Sequence, residues 1–232
     1  WLAGAHVRSF NSRGVVAVTG RDGLVSDEDR KRVMDAAQAV SIPQDREIVH
    51  ALPQEFVLDN QSSIVSPVGM IGSRLEATAH IVSAASTSIQ NLVSCAIRAG
   101  IEVRDIVLGL LAVSESVLTP DERDLGVAVI DIGGGTTDLG IFEKGAIWHT
   151  AVLPVGGDHF SNDLAVGLRA PIPDAERLKT RYGCAMASMI QENDAGEGPT
   201  VGGRKPRLLS LPVMAEILQP RAEEIFSLTR DE

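Results

Sequence analysis

Val127-Ala-Val-Ile-Asp-Ile-Gly-Gly-Gly-Thr-Thr-Asp-Leu-Gly-Ile-Phe142 reads as a strand, a tight glycine turn and a second strand. Val127, Val129, Ile130 and Ile132 form a short β-branched run, the pattern of a strand buried on both faces. Asp131 lies near the end of that run, where its carboxylate leaves the sheet. Gly133, Gly134 and Gly135 permit backbone angles and a closeness of approach that a Cβ forbids. Successive free N–H groups in such a turn form a concavity for anions. Thr136 and Thr137 add hydroxyls, and Asp138 adds a second carboxylate. Together these groups are what a metal–phosphate ligand requires, whereas an ordinary hairpin turn needs none of them. No Gly-Lys-Ser/Thr follows, which excludes a Walker loop, and a strand comes next rather than a helix, which excludes a dinucleotide fingerprint.

The 232 residues are enough to bury a real core in one large domain or two small ones. Lys and Arg number 21 against 31 acidic residues, a net charge of −10 that argues against general nucleic-acid binding. Aromatics at 3% leave little for base stacking. The longest apolar run, around Ile106–Val113, is too short to span a bilayer, and the start has no signal-peptide pattern. Cys95 and Cys184 lack ligand spacing and the five histidines form no metal motif, so reduced thiols in a cytoplasmic protein are expected.

Residues 1–79 read as a small α+β unit. Ala5–Phe10 and Val15–Thr19 flank Asn11-Ser12-Arg13-Gly14, a hairpin-turn sequence. A helix is expected from Ser26, with Asp29 completing a capping-box-like pair and Val33, Met34, Ala37 and Val40 on one face. Glu47–Leu52, Phe56–Asp59 and Leu75–Val82 are further strand candidates. From about His80 strands alternate with helices, the mark of a layered sheet. Ile89, Leu92, Val93, Ala96 and Ile97 stripe a helix ended by Gly100; Val103–Leu108 is the next expected strand, and Leu110–Leu118 a short helix.

After the glycine hairpin, Ala146–Leu153 is a third strand, and Gly156-Gly157 enters a helix over Phe160–Gly167, offering amides and a positive dipole end to phosphate. Pro173–Tyr182 is a charged helix in which Glu176 and Lys179 share a face as an ion pair. Gln191–Arg207 reads as a loop, and Pro220 is expected to kink or split the last helix, Val213–Leu228.

Asp-x-Gly-x-x-Thr-x-Asp, residues 131–138, resembles the second phosphate loop of the actin, Hsp70 and sugar-kinase ATPase superfamily. The order of the remaining pieces resembles the bacterial FtsA cell-division family nearly end to end. It does so through Leu52-Pro-Gln-Glu-Phe56, Ser66-Pro-Val-Gly-Met70, Ser116-Val-Leu-Thr-Pro-Asp-Glu-Arg123, Val129–Asp138, Pro173–Ala185 and Val201-Gly-Gly-Arg204. The fold so implied is α/β, with actin-like (ribonuclease H-like) mixed-sheet lobes. Residues 1–79 would be the small α+β subdomain special to this family, and 80–124 part of the first lobe and the inter-lobe connection. Residues 125–162 would be the second lobe with its phosphate hairpin, and 163–232 a smaller helical and mixed subdomain.

The resemblance further implies an ATP-binding scaffold that polymerises and tethers FtsZ filaments to the cytoplasmic membrane at the division site, with at most slow hydrolysis and no catalytic set. The alternative is another ATPase of the superfamily, Hsp70-like, a pilus-assembly protein or a sugar kinase; no substrate-base aspartate for a kinase is found. Carried over by motif, Asp131 would organise Mg²⁺ through water. Gly133, Gly134, Gly135 and Thr136 would hold phosphate, with Gly156 and Gly157 continuing the cradle and Glu176 and Lys179 facing adenosine. Arg221 and Glu224 lie where the FtsZ C-terminal tail is received, and Arg207 where neighbouring subunits meet. Other division proteins would meet residues 1–79.

The chain reads as a piece of a longer one, without the first phosphate loop, the later adenine-closing glycine motif and the membrane-binding amphipathic helix. The 232-residue piece alone is therefore expected to bind nucleotide weakly or not at all. Tight, Mg²⁺-dependent ATP binding to it by calorimetry contradicts that expectation.

Overall fold

The computed structural model describes residues 1–198 and 208–232. They run β1 (Arg8–Ala17), α1 (Asp27–Gln38), β2 (Arg46–Leu58), β3 (Gln61–Ile64), β4 (Arg74–Ala85), α2 (Ser86–Arg98), α3 (Gly109–Val117) and α4 (Pro120–Leu125). Then come β5 (Val127–Ile132), β6 (Thr137–Glu143), β7 (Ala146–Leu153), α5 (Gly157–Leu168), α6 (Ile172–Tyr182), β8 (Ala195–Glu197), β9 (Leu208–Ser210) and α7 (Leu211–Asp231). The chain divides into one unit of Trp1–Asp131 and Asp138–Val152 and another of Ile132–Thr137 and Leu153–Glu232.

In the first unit a four-stranded sheet has the order β1-β4-β2-β3. Asn11-Ser12-Arg13-Gly14 is no turn: it lies in mid-strand, paired residue by residue with His80, Ala79, Thr78 and Ala77 of β4. Gly14 serves packing instead, because a Cβ there would sit 2.2 Å from the Val33 carbonyl oxygen and 2.5 Å from the Ala37 nitrogen of α1. The two strands expected over 47–59 are one, β2, whose register shifts between Ile48 and His50 and between Pro53 and Glu55. β4 runs unbroken through His80, so the change of pattern read there falls inside a strand.

α1 starts as its sequence specifies. Ser26 Oγ accepts from the Asp29 N–H and Asp29 Oδ2 accepts from the Ser26 N–H, a reciprocal cap. Burial alone would raise the Asp29 pKa, but bonds from the side chains and main chains of Thr19 and Ser26 outweigh it and hold the carboxyl well below its usual range. Val33 and Ala37 are buried under the sheet.

α2 closes in a Schellman motif, with Gly100 (φ +75°) donating to Ile97 and Ile101 donating to Ala96. The strand expected over Val103–Leu108 does not form. Its backbone bridges to Leu2, through Leu2 N–H to Val107 and Gly109 N–H to Leu2, both 2.7 Å, and Leu108 N–H goes to the His50 side chain; a single bridge is not a ladder. α4, in a stretch that reads from sequence as a connection, has its own capping box between Thr119 and Glu122. The second sheet has the order β5-β6-β7. Val129 joins Phe142, Ile147, Leu110, Ile89 and Val82 in the largest core, whereas Ile130 and Ile132 are 40% and 47% exposed. Among the described residues, β5 is therefore an outer strand with one open face, not one buried on both.

Carbonyls of β7, the other outer strand, accept from side chains of the first sheet. Ser9 Oγ donates to Thr150 (2.8 Å), and Gln54 Nε2 to Ile147 and Trp148 (both 3.0 Å). Buried His80 lies between Asn11 Oδ1, 2.7 Å from Nδ1, and Thr150 Oγ1, 2.9 Å from Nε2. An amide oxygen cannot donate, so His80 carries its proton on Nδ1 and accepts from Thr150 at Nε2. Burial, helped by nearby His149, pushes its pKa down to about 4.

In the second unit α5, α6 and α7 pack through Leu164, Ala175, Leu178, Met214 and Leu218. α7 begins at Leu211 and continues through Pro220 to Asp231, so the proline does not divide it. β8, inside the stretch read as loop, pairs with β9 just beyond it. Arg207 and Val201-Gly-Gly-Arg204 lie outside the described residues.

His80 has its folded pKa depressed, so the native state binds fewer protons than the unfolded chain between about pH 4 and 6.5 and loses stability as pH falls through that window. His50, which accepts the Leu108 N–H and is also held low by burial, acts in the same direction. Urea midpoints measured from pH 7 to 4.5 are expected to fall, and to fall less steeply in His80→Gln. Equal slopes contradict the assignment.

Candidate functional site

The second unit contains the tip of the glycine hairpin, and its geometry starts from three main-chain bonds and one side-chain cap. Gly133 N–H donates across the turn to Thr136 O at 2.8 Å. The Gly133 carbonyl accepts the Gly157 N–H at 2.9 Å, and the Gly134 carbonyl accepts the Asp158 N–H at 2.8 Å. Gly156 N–H in turn is capped by His159 Nδ1 at 3.1 Å. The hairpin tip and the start of α5 are thus bonded face to face. Thr137 Oγ1, donating to Val155 O at 2.8 Å, ties the base of the turn to the same segment.

This changes the reading of the glycines. The amides of Gly156 and Gly157, expected to donate to phosphate, already have partners. Those of Gly134 and Gly135 make no hydrogen bond to a described residue. None of the three hairpin glycines adopts a left-handed φ. Glycine is demanded by contact, and most strictly at Gly156, whose Cβ would lie 2.6 Å and 2.7 Å from the carbonyl oxygens of Gly133 and Gly134. At Gly135 a Cβ would meet nothing within 4 Å, so that side of the turn is open, whereas at Gly134 it would meet the Asp158 carboxylate at 3.6 Å.

Glu176 and Lys179 come from α6 to the same place. Lys179 Nζ donates to Gly157 O at 3.0 Å and pairs with Glu176 at 2.7 Å. Ser161 Oγ donates to the same Glu176 oxygen. The bonds from Lys179 and then Ser161 hold the Glu176 carboxyl below its ordinary pKa. Gly133, Gly134, Gly156, Gly157, Glu176 and Lys179 therefore form one cluster. Asp131, at the end of β5, is partly exposed and makes no hydrogen bond or ion pair with a described residue. Asp138 is buried. A polyphosphate fits this donor set: two unused amides, open space and a nearby ammonium. Asp131 offers a single carboxylate, and among the described residues no group of three or more His, Cys, Asp or Glu could hold a metal ion.

Arg221 is not a lone cation. Its guanidinium grips Asp163 of α5 through Nε (2.7 Å) and Nη2 (3.1 Å), and it also pairs with Glu224 one turn on. The Asp163 bond raises the Arg221 pKa against the effect of burial, with the charges of Asp163 and Glu224 adding to it. Sequence reasoning missed Asp158, His159, Ser161 and Asp163. His159 stands at capping-box distance from Gly156, a readable signal. The partners of Ser161 and Asp163 are 15 and 58 residues away, which no local pattern reveals.

Comparison with known proteins follows the same segments. The family described as "SHS2 domain inserted in FTSA" matches residues 4–83, and the family "Cell division protein FtsA" matches residues 128–215. The chain is 49% identical over 231 residues to the cell division protein FtsA of Pseudomonas aeruginosa, covering 100% of this chain and 55% of that one. It is 38% identical over 231 residues to that of Escherichia coli K12, covering 100% and 54%. The chain thus spans about half the length of the curated relatives it matches. Among solved structures it is similar to the PilM–PilN type IV pilus biogenesis complex, with TM-score 0.54, 14% identity and coverage of 96% of this chain and 54% of that one. That likeness is one of fold, mixed α/β and actin-like.

Gly156→Ala is expected to force the hairpin off α5 and lower unfolding stability by about 1–3 kcal/mol. Gly135→Ala, into open space, is expected to change it by less than about 0.5 kcal/mol. Urea denaturation of both variants checks this, and equal losses overturn it.

Proposed function

The chain belongs to the FtsA family of cell-division proteins, and from that premise we propose that it is part of an ATP-gated scaffold that polymerises and tethers FtsZ filaments to the cytoplasmic membrane. The observation that carries the nucleotide half of this reading is the pair of unused amides at Gly134 and Gly135, set beside open space and near Lys179. In this reading those amides and Thr136 hold the charged end of ATP. Asp131 orders Mg²⁺ through water, which neutralises phosphate charge, and Glu176 and Lys179 face the adenosine.

The partner half concerns α7. Arg221 and Glu224 are proposed to receive the C-terminal tail of FtsZ, with Asp163 fixing the guanidinium so that little side-chain entropy is lost on binding. Self-association is proposed through the first subdomain, residues 1–79, and through the stretch around Arg207, and other division proteins are proposed to meet the same subdomain. Among the described residues no helix is long and apolar enough to cross a membrane, so attachment is assigned to a segment other than these.

Titration of the full-length protein with an FtsZ C-terminal peptide is expected to show binding that Arg221→Glu weakens by about tenfold or more. That variant replaces the guanidinium with a third carboxylate beside those of Asp163 and Glu224. No binding by the unaltered protein, or no loss in the variant, contradicts the site.

A further inference from the structure

We propose that the first two amides of α5 act as positioning groups for an anion they never touch, by setting the two hairpin peptides whose opposite sides face it. The inference deepens the nucleotide reading above and rests on it. It starts from peptide geometry. The Gly133 carbonyl and the Gly134 N–H belong to one peptide plane, as do the Gly134 carbonyl and the Gly135 N–H. No peptide bond in the described residues is cis. In a trans peptide the C=O and N–H point in opposite directions.

Gly157 N–H holds the first of these carbonyls at 2.9 Å and Asp158 N–H the second at 2.8 Å. Each bond therefore turns one free N–H, that of Gly134 or that of Gly135, away from α5 and into the open side of the hairpin. Two adjacent peptides fixed this way present two donors to one oxyanion without reorganisation when it arrives.

The same bonds transmit polarity. α5 is 12 residues long, and its first-turn N–H groups carry the positive end of its dipole. A donor on the carbonyl side of an amide withdraws charge and strengthens the N–H on the other side. The helix therefore acts on the anion through one intervening peptide layer rather than at its own terminus. This accounts for the strict need for glycine at Gly156, which permits the contact, although its own N–H is spent on His159.

Gly157 allows a test that removes one of the two N–H groups and leaves the helix intact. It is the first helical residue, where proline is favoured, and Gly156 before it is extended (φ −167°, ψ −160°), as a residue preceding proline should be. A Cβ at Gly157 meets only ordinary contacts, 3.5 Å and beyond, so Gly157→Ala is the control for the added Cβ, while the proline Cδ takes the place of the N–H that faces the Gly133 carbonyl. In the full-length protein, ATP with Mg²⁺ is expected to bind Gly157→Ala within about twofold of the unaltered protein and Gly157→Pro about tenfold more weakly. Gly157→Pro is expected to melt lower than Gly157→Ala, because it alone loses the bond to the Gly133 carbonyl.

Equal affinities for the two variants overturn the inference while leaving the nucleotide reading in place. Absence of binding by the unaltered protein overturns the nucleotide reading itself, and the inference with it. Should Gly157→Pro fail to fold, amide NMR of the unaltered protein decides: nucleotide is expected to shift the Gly134 and Gly135 protons downfield while Gly157 and Asp158 stay protected from exchange. A downfield shift and loss of protection at Gly157 and Asp158, as these amides turn to the phosphate, overturns the inference.

Discussion

Two main-chain hydrogen bonds between the hairpin tip and α5 constrain everything else in the candidate site. They decide which amides remain available, and those are not the ones that a glycine count or a helix start would nominate. Backbone donors in a folded chain are nearly all spent, so a binding loop is found by what is left unspent. Here the remainder is Gly134 and Gly135, and the cost of keeping them unpaired is met by the open space beside Gly135, where water reaches them.

The sequence was legible wherever the signal was local. Ser26 and Asp29 announce α1 by their spacing, and Gly100 announces the end of α2. The strand–glycine–strand reading of 127–143 holds, as does the third strand after it. It failed where a residue answers to something distant. Asn11-Ser12-Arg13-Gly14 has turn chemistry, yet β4 supplies a partner for each residue and α1 needs the missing Cβ of Gly14. Val103–Leu108 has strand chemistry, yet it forms an isolated bridge to Leu2 and joins no ladder among the described residues. β-propensity describes a surface waiting for neighbours, not an intrinsic preference, so it cannot show whether neighbours are there. The site divides the same way: the glycines, Glu176 and Lys179 could be named in advance, but not which amides they leave free.

The first unit shows a related economy in side chains. β2 shifts register between Pro53 and Glu55, at Gln54, and a bulge re-aims the residue it carries. Gln54 thereby reaches the carbonyls of Ile147 and Trp148 on β7, beside Ser9 and the His80–Thr150 pair. An outer strand left with bare carbonyls invites pairing with other chains. Polar side chains close part of that edge here, and each must then be satisfied. His80 meets this by holding one tautomer between an obligate acceptor and a hydroxyl, which is also why burial keeps it neutral.

Lys179 brings these threads to the candidate site. From sequence it reads as half of an exposed ion pair, and its bond to Glu176 agrees. Yet its ammonium also donates to Gly157 O, at the first turn of α5, where the helix dipole disfavours a cation by about 0.3–1 kcal/mol. Its own carbonyl meanwhile accepts the Gly183 N–H that ends α6, so both ends of the residue are fixed. A lysine free to choose would swing toward solvent. This one is held beside the positive end of a helix and two polarised amides, with Glu176 offsetting part of the charge. Glu176 meets that charge, and the Asp158 carboxylate beside Gly134 adds a second negative charge to the same turn, so the cation's place at the helix start rests on neighbouring carboxylates rather than on a bare positive field.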